Sequence, residues 1–119
     1  MPEERSGRRA PRVTASWSGV LVGRDERPVK LVDISVSGCL VSGDARLAPG
    51  ALHDLRLELE DGPLTAQVRV ADSSVDGASL DRPAPLYLSG LQFVALPPPA
   101  HQRLLRLVEG LRRSDAAGD

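Results

Sequence analysis

Between Leu55 and Val70 the chain carries two stretches of period two. Leu55, Leu57 and Leu59 alternate with Arg56, Glu58 and Glu60, and Leu64, Ala66, Val68 and Val70 alternate with Thr65, Gln67 and Arg69. Alternation of this kind puts every apolar side chain on one face of an extended segment and leaves no helical stripe, so both stretches are half-buried strands. Asp61-Gly62-Pro63 between them supplies turn residues, which predicts an antiparallel hairpin.

Further strand signals lie on both sides of this hairpin. Val13 to Val22 reads as one strand, followed by a charged turn over Gly23 to Pro28. Val29 to Ile34 and Cys39 to Val41 are short apolar runs separated by Ser35-Val36-Ser37-Gly38. Asp72 to Pro85 is rich in Asp, Ser, Gly and Pro and reads as a surface loop, after which Leu86 to Leu96 returns as a strand. Pro97-Pro98-Pro99 stops that strand and opens a helix, since proline is accommodated in a first turn. Leu104, Leu105, Leu107, Val108 and Leu111 would give the helix one broad apolar face. The expected fold class is mainly β, a six-stranded antiparallel β-barrel with a C-terminal α-helix. Its expected organisation is a flexible basic arm over residues 1–12, the barrel and helix over 13–113, and a disordered tail over 114–119.

Composition narrows the function classes. A chain of 119 residues suits one domain, and 18 Leu and 12 Val against one each of Phe, Tyr and Trp make its core aliphatic. Aromatic platforms for stacking bases are therefore scarce. A lone Cys39 excludes a disulfide framework and a cysteine-built zinc site, and it reads as a buried strand residue. His53 and His101 are unclustered, so no metal site is expected. No nucleophile, base and orienting group can be placed together, so neither catalytic residues nor an enzyme activity are expected. The charged start and the lack of a long apolar run point to a soluble, cytoplasmic chain without membrane insertion.

The charge is unevenly spread. Residues 1–12 sum to +2, 33–82 to −5 and 100–113 to +3. The whole chain has a net charge of −1 and a pI of about 6.1, which argues against nucleic acid as a partner and for a small anion bound locally. Of 15 basic residues 14 are arginine, Lys30 being the exception.

Two motifs stand out from that background. Arg8 and Arg12 form Arg-x-x-x-Arg in the arm, although about 1.6 such pairs are expected by chance at this arginine content. Asp33, Ser35 and Gly38 form Asp-x-Ser-x-x-Gly, for which chance predicts only about 0.08 occurrences. In these residues, Arg8-Arg9-Ala10-Pro11-Arg12 and Asp33-Ile34-Ser35-Val36-Ser37-Gly38, the chain resembles the PilZ domain family. Gly90-Leu91-Gln92-Phe93-Val94 followed by an amphipathic helix is similar to the end of that family's six-stranded barrel. The resemblance implies binding of the bacterial second messenger cyclic di-GMP, as a ligand and not a cofactor, through Arg8, Arg12, Asp33, Ser35 and Gly38. Arg9 either joins them or faces water. The residue before the arginine pair is Gly7, a position where family variation is linked to binding one or two ligand molecules, and the number here stays open.

Residue chemistry suits that ligand. A guanidinium fork matches the O6 and N7 acceptors of guanine and pairs with phosphate, while Asp33 can accept from the guanine N–H edge, which arginine cannot do. Pro11 disfavours helix at Ala10, so an extended arm would hold Arg8 and Arg12 roughly 13 Å apart. Ser35 offers a small donor and acceptor, and Gly38 permits a turn or close ligand approach. Asp33, Ser35 and Gly38 would equally serve an ordinary turn, with Gly38 at positive φ. The leading expectation is a cyclic di-GMP receptor that signals to an unidentified downstream protein through an ordered arm. The alternative is a nucleotide-independent protein-interaction adaptor of the same fold.

Overall fold

The structure, a computed structural model, describes residues 13–14, 17–23, 25–59 and 61–118, with the backbone alone for 13, 14 and 112–118. Among the described residues, seven strands are followed by one helix: β1 (Val13–Thr14), β2 (Ser18–Val22), β3 (Glu26–Ile34), β4 (Gly38–Gly43), β5 (Leu52–Leu59), β6 (Gly62–Val75), β7 (Tyr87–Ala95) and α1 (Pro98–Gly118). A single 3-10 turn, Gly77–Ser79, sits between β6 and β7.

All pairings are antiparallel, and they close. The order runs β3, β2, β5, β6, β7, β4 and back to β3. β1 pairs with β3 at Val13–Ile34 and Thr14–Asp33, on the edge of β3 that β2 occupies further along, so β1 and β2 together make one stave of a six-stranded barrel. The hairpin expected from the alternation is β5–β6, with Leu59 opposite Gly62 and Gly62 at φ 118°, a conformation that glycine takes without Cβ strain.

Inward side chains fill the barrel with aliphatic carbon. Leu21, Leu31, Ile34, Val41, Leu55, Leu57, Leu64, Val68, Val70 and Leu91 are buried, with Cys39 among them. Leu47, on the connection from β4 to β5, covers one end near Ser73, whose hydroxyl accepts from the Leu47 N–H at 3.0 Å. At the other end of β6 the helix docks by Leu104 and Val108. Arg103 fixes it there, donating to the carbonyls of Pro63 (2.8 Å) and Gly62 (3.0 Å) and to the Asp61 carboxylate (2.6 Å).

Several boundaries differ from the sequence expectation. Glu26, Arg27 and Pro28 are strand and not turn, because they extend the β2–β3 ladder past the end of β4, where β3 pairs on one side alone and proline is tolerated. Asp72 to Val75 are strand and not loop. Their signal is hidden because the inward position is a serine, and buried Ser73 satisfies itself 2.9 Å from the buried Ser89 hydroxyl of β7. The helix does not stop at Arg113 but runs to Gly118, since Ser114-Asp115-Ala116-Ala117 contains no breaker. Leu105 lies off the docked face and is exposed.

Two outcomes follow. Leu104→Ala is expected to lower stability by about 2–5 kcal/mol and Leu105→Ala by no more than about 0.5, measured by urea unfolding. The hydrogen bond from Arg103 holds the Asp61 carboxyl below its ordinary value, partly opposed by desolvation. A carboxylate depressed on folding adds stability that is complete above its unfolded pKa and is lost as pH falls through the folded one. The helix–hairpin contact should thus weaken on acidification below about pH 4, and Asp61→Asn should remove that part of the pH dependence, read from melting temperatures between about pH 7 and pH 3.

Candidate functional site

Asp33 owes its position to an irregularity in β3. Pairing with β4 runs Lys30–Ser42, Leu31–Val41, then Asp33–Leu40 and Ile34–Cys39, so Val32 is an extra residue without a partner on β4. In a regular strand Leu31 and Ile34, three apart, would face opposite sides. The bulge resets the phase, so both are buried in the core while Lys30 and Asp33 both belong to the outer wall. Across that wall Asp33 lies in one row with Leu40 of β4, Gly90 of β7 and Asp72 of β6. Gly90 keeps the row open beside Leu40, and its N–H donates to the Asp72 carboxylate at 3.2 Å.

Ser35 and Gly38 build the turn that follows. The Ser35 N–H donates to the Gly38 carbonyl at 2.8 Å, which closes the loop. The Ser35 hydroxyl is buried inside it, accepting from the Ser37 N–H at 3.2 Å and donating to the Gly38 carbonyl at 3.3 Å, with the Ser37 hydroxyl 3.1 Å away. Ser37 is the exposed hydroxyl of the turn.

Gly38 does not take positive φ; among the described residues Gly50 and Gly62 do. It is glycine because β4 and β7 meet there: a Cβ would sit 2.2 Å from the Leu91 carbonyl oxygen. The turn is tied to β7 at the same place, Phe93 N–H donating to the Ser37 carbonyl at 2.9 Å. Asp33, Ser35 and Gly38 are thus gathered at the helix end of the barrel, beside the first residues of β1. Arg8, Arg9 and Arg12 lie outside the described residues.

The sequence reading missed a cleft on the same outer wall. It holds about 500 Å³ and is lined by Ser18, Pro28, Lys30 and Ser42 from the wall, Asp44 after β4, and Arg82 and Leu86 from the β6–β7 connection. Lys30 gave a signal in being the lone lysine, but its odd spacing from Asp33 places the two on opposite faces until the bulge is known. Arg82 sits in a segment whose polarity suggests nothing beyond solvent. Among the described residues no cluster of three or more His, Cys, Asp or Glu could hold a metal ion, and no helix is long and apolar enough to cross a membrane.

A closed six-stranded antiparallel barrel with one C-terminal helix, carrying an aspartate and a serine-glycine turn at the helix end, defines the class of molecule. The PilZ domain model matches residues 6–110, and the chain belongs to the PilZ domain family. Solved structures agree in fold. The PilZ domain of YcgR from Escherichia coli, determined with c-di-GMP, matches at a TM-score of 0.74 with 15% identity, over 92% of this chain and 95% of that one. MrkH of K. pneumonia in its apo state matches at 0.78 with 19% identity, over 92% of this chain and 52% of MrkH. The Bacillus subtilis inhibitor of motility MotI/DgrA matches at 0.70 with 18% identity, over 88% and 49%. The chain therefore spans about half the length of MrkH and MotI. Among curated proteins none matches.

Because Gly38 is set against the β7 backbone, Gly38→Ala is expected to destabilise the ligand-free protein by at least about 1–3 kcal/mol. Chemical denaturation without nucleotide checks this, and an unchanged midpoint would refute the packing role.

Proposed function

We propose that this chain is a cyclic di-GMP receptor whose N-terminal arm closes on the outer wall at Asp33 and hands the signal to a protein partner. The observation that carries the reading is the pairing of Thr14 with Asp33 and of Val13 with Ile34. It anchors the root of the arm beside the aspartate, so Arg12 is one residue from a fixed point and Arg8 within roughly 17 Å of that point along an extended chain. Family membership and neighbours such as YcgR, solved with c-di-GMP, support the same ligand.

In this reading the donors and the acceptor divide the work. Arg8 and Arg12, with Arg9 as a third candidate, address guanine O6 and N7 and the phosphates, and the Asp33 carboxylate takes the guanine N–H edge. Ser35 and Gly38 act by holding the turn, Ser35 through its buried hydroxyl and Gly38 by letting β4 lie against β7. Helix α1 packs against β1, so an arm that is ordered by ligand also changes the surface next to the helix. That surface is where a downstream protein would read the state of the receptor.

Calorimetric titration with cyclic di-GMP tests the reading. Wild type is expected to bind, and Arg8→Ala, Arg12→Ala and Asp33→Ala should each weaken binding about 10- to 100-fold, as expected for the loss of a charge-assisted contact. No heat at high protein concentration would overturn the receptor reading in favour of a nucleotide-independent adaptor.

A further inference from the structure

The cleft behind Asp33 has the composition of a second nucleotide subsite. It lies on the same outer wall, one row further from the helix: Lys30 and Ser42 are paired, as are Asp33 and Leu40. Lys30 and Asp33 stand roughly 7–10 Å apart along the bulged strand, a step that one cyclic dinucleotide can bridge. Without the bulge at Val32 Lys30 would face away from Asp33, and the cleft would have no continuity with the site.

Its walls match what remains of the ligand once one guanine is held at Asp33. Lys30 and Arg82 face the cleft from opposite sides, one from β3 and one from the β6–β7 connection, and both are exposed. Each can donate to phosphate oxygens or to guanine O6 and N7, and neither can accept. Asp44 supplies an acceptor for the N1 and N2 hydrogens of a guanine, the Ser42 hydroxyl serves as either donor or acceptor, and Pro28 and Leu86 offer apolar surface for a flat ring. A polyanion with no donors would be disfavoured by Asp44, whereas guanine, which carries acceptors and donors on adjacent edges, uses all three charged groups. At about 500 Å³ the cleft falls within the range of small-ligand sites.

We infer that the cleft between the outer wall of β2–β4 and the β6–β7 connection is a second guanine-nucleotide subsite, in which Lys30, Arg82 and Asp44 hold the half of the ligand that Asp33 does not. This rests on the receptor reading above. The occupant is either the far half of the same cyclic di-GMP molecule or one half of a second molecule stacked on the first, and the two share one recognition chemistry.

Titration of the full chain with cyclic di-GMP separates these cases. Lys30→Ala and Arg82→Ala are each expected to weaken binding about tenfold or more, while Arg106→Ala, which removes an exposed arginine of α1 distant from the cleft, leaves the affinity within about twofold. In wild type, the backbone amide resonances of Ser42, Gly43 and Leu86 should shift on titration together with those of Asp33 and Ser35. Both cleft side chains are exposed, so the unfolding midpoints of the ligand-free variants should equal that of wild type. Weaker binding at unchanged stoichiometry assigns the subsite to the far half of one molecule, and a fall from two ligands to one assigns it to the second molecule. Unchanged affinity and stoichiometry in both cleft variants, with wild type binding normally, would overturn the subsite and leave the receptor reading standing. Wild type that takes up no ligand would overturn both.

Discussion

The close approach of β4 to β7 at Gly38 is the constraint on which the rest of the molecule depends. β4 is the strand that closes the barrel, bonded to β3 on one edge and to β7 on the other. A closed barrel leaves no strand edge open along its staves, but closure demands that the last strand fit between two that are already placed. At Gly38 the space left is less than one methyl group, and the Leu91 carbonyl occupies it. With β4 seated there, the turn from Ser35 is short and internally bonded, and Val32 absorbs the extra residue. Asp33 is turned to the outer wall as a result, so the geometry of closure and the geometry of the site have one cause.

The parts of the fold that were legible in the sequence are those where one face is apolar and the other polar without exception. The β5–β6 hairpin and the docked face of α1 at Leu104 and Val108 are of this kind. Legibility failed where the inward position carries a polar residue that finds its own partner, as Ser73 and Ser89 do, since a buried hydroxyl pair looks like a loop when only polarity is read. It failed again where strand phase changes, because a bulge leaves no residue signature at Val32. The motif Asp33-x-Ser35-x-x-Gly38 was visible by spacing alone, yet the reasons differ residue by residue: the aspartate faces outward, the serine is spent on the turn, and the glycine answers to β7. Lys30 and Arg82 were invisible as a pair because the chain places 51 residues between them in sequence.

Charge follows the same architecture. The middle of the chain is acidic, but its outer wall at Lys30 and Arg82 carries two cationic side chains around one cleft. A near-neutral molecule can in this way present one restricted cationic surface while the remainder stays unattractive to long polyanions.

β1 contributes two paired residues, Val13 and Thr14, to a stave that β2 completes with five. Local stability scales with how much structure must open, and a two-residue ladder at the lip of a barrel is among the least expensive pieces to release. β1 meets the Ile34 end of β3 and the helix, while Leu21 and its neighbours are held by the ladders of β2 with β3 and β5. The stave is in effect a rigid post with a two-residue latch, and releasing that latch also loosens what it gives to the helix packed against it.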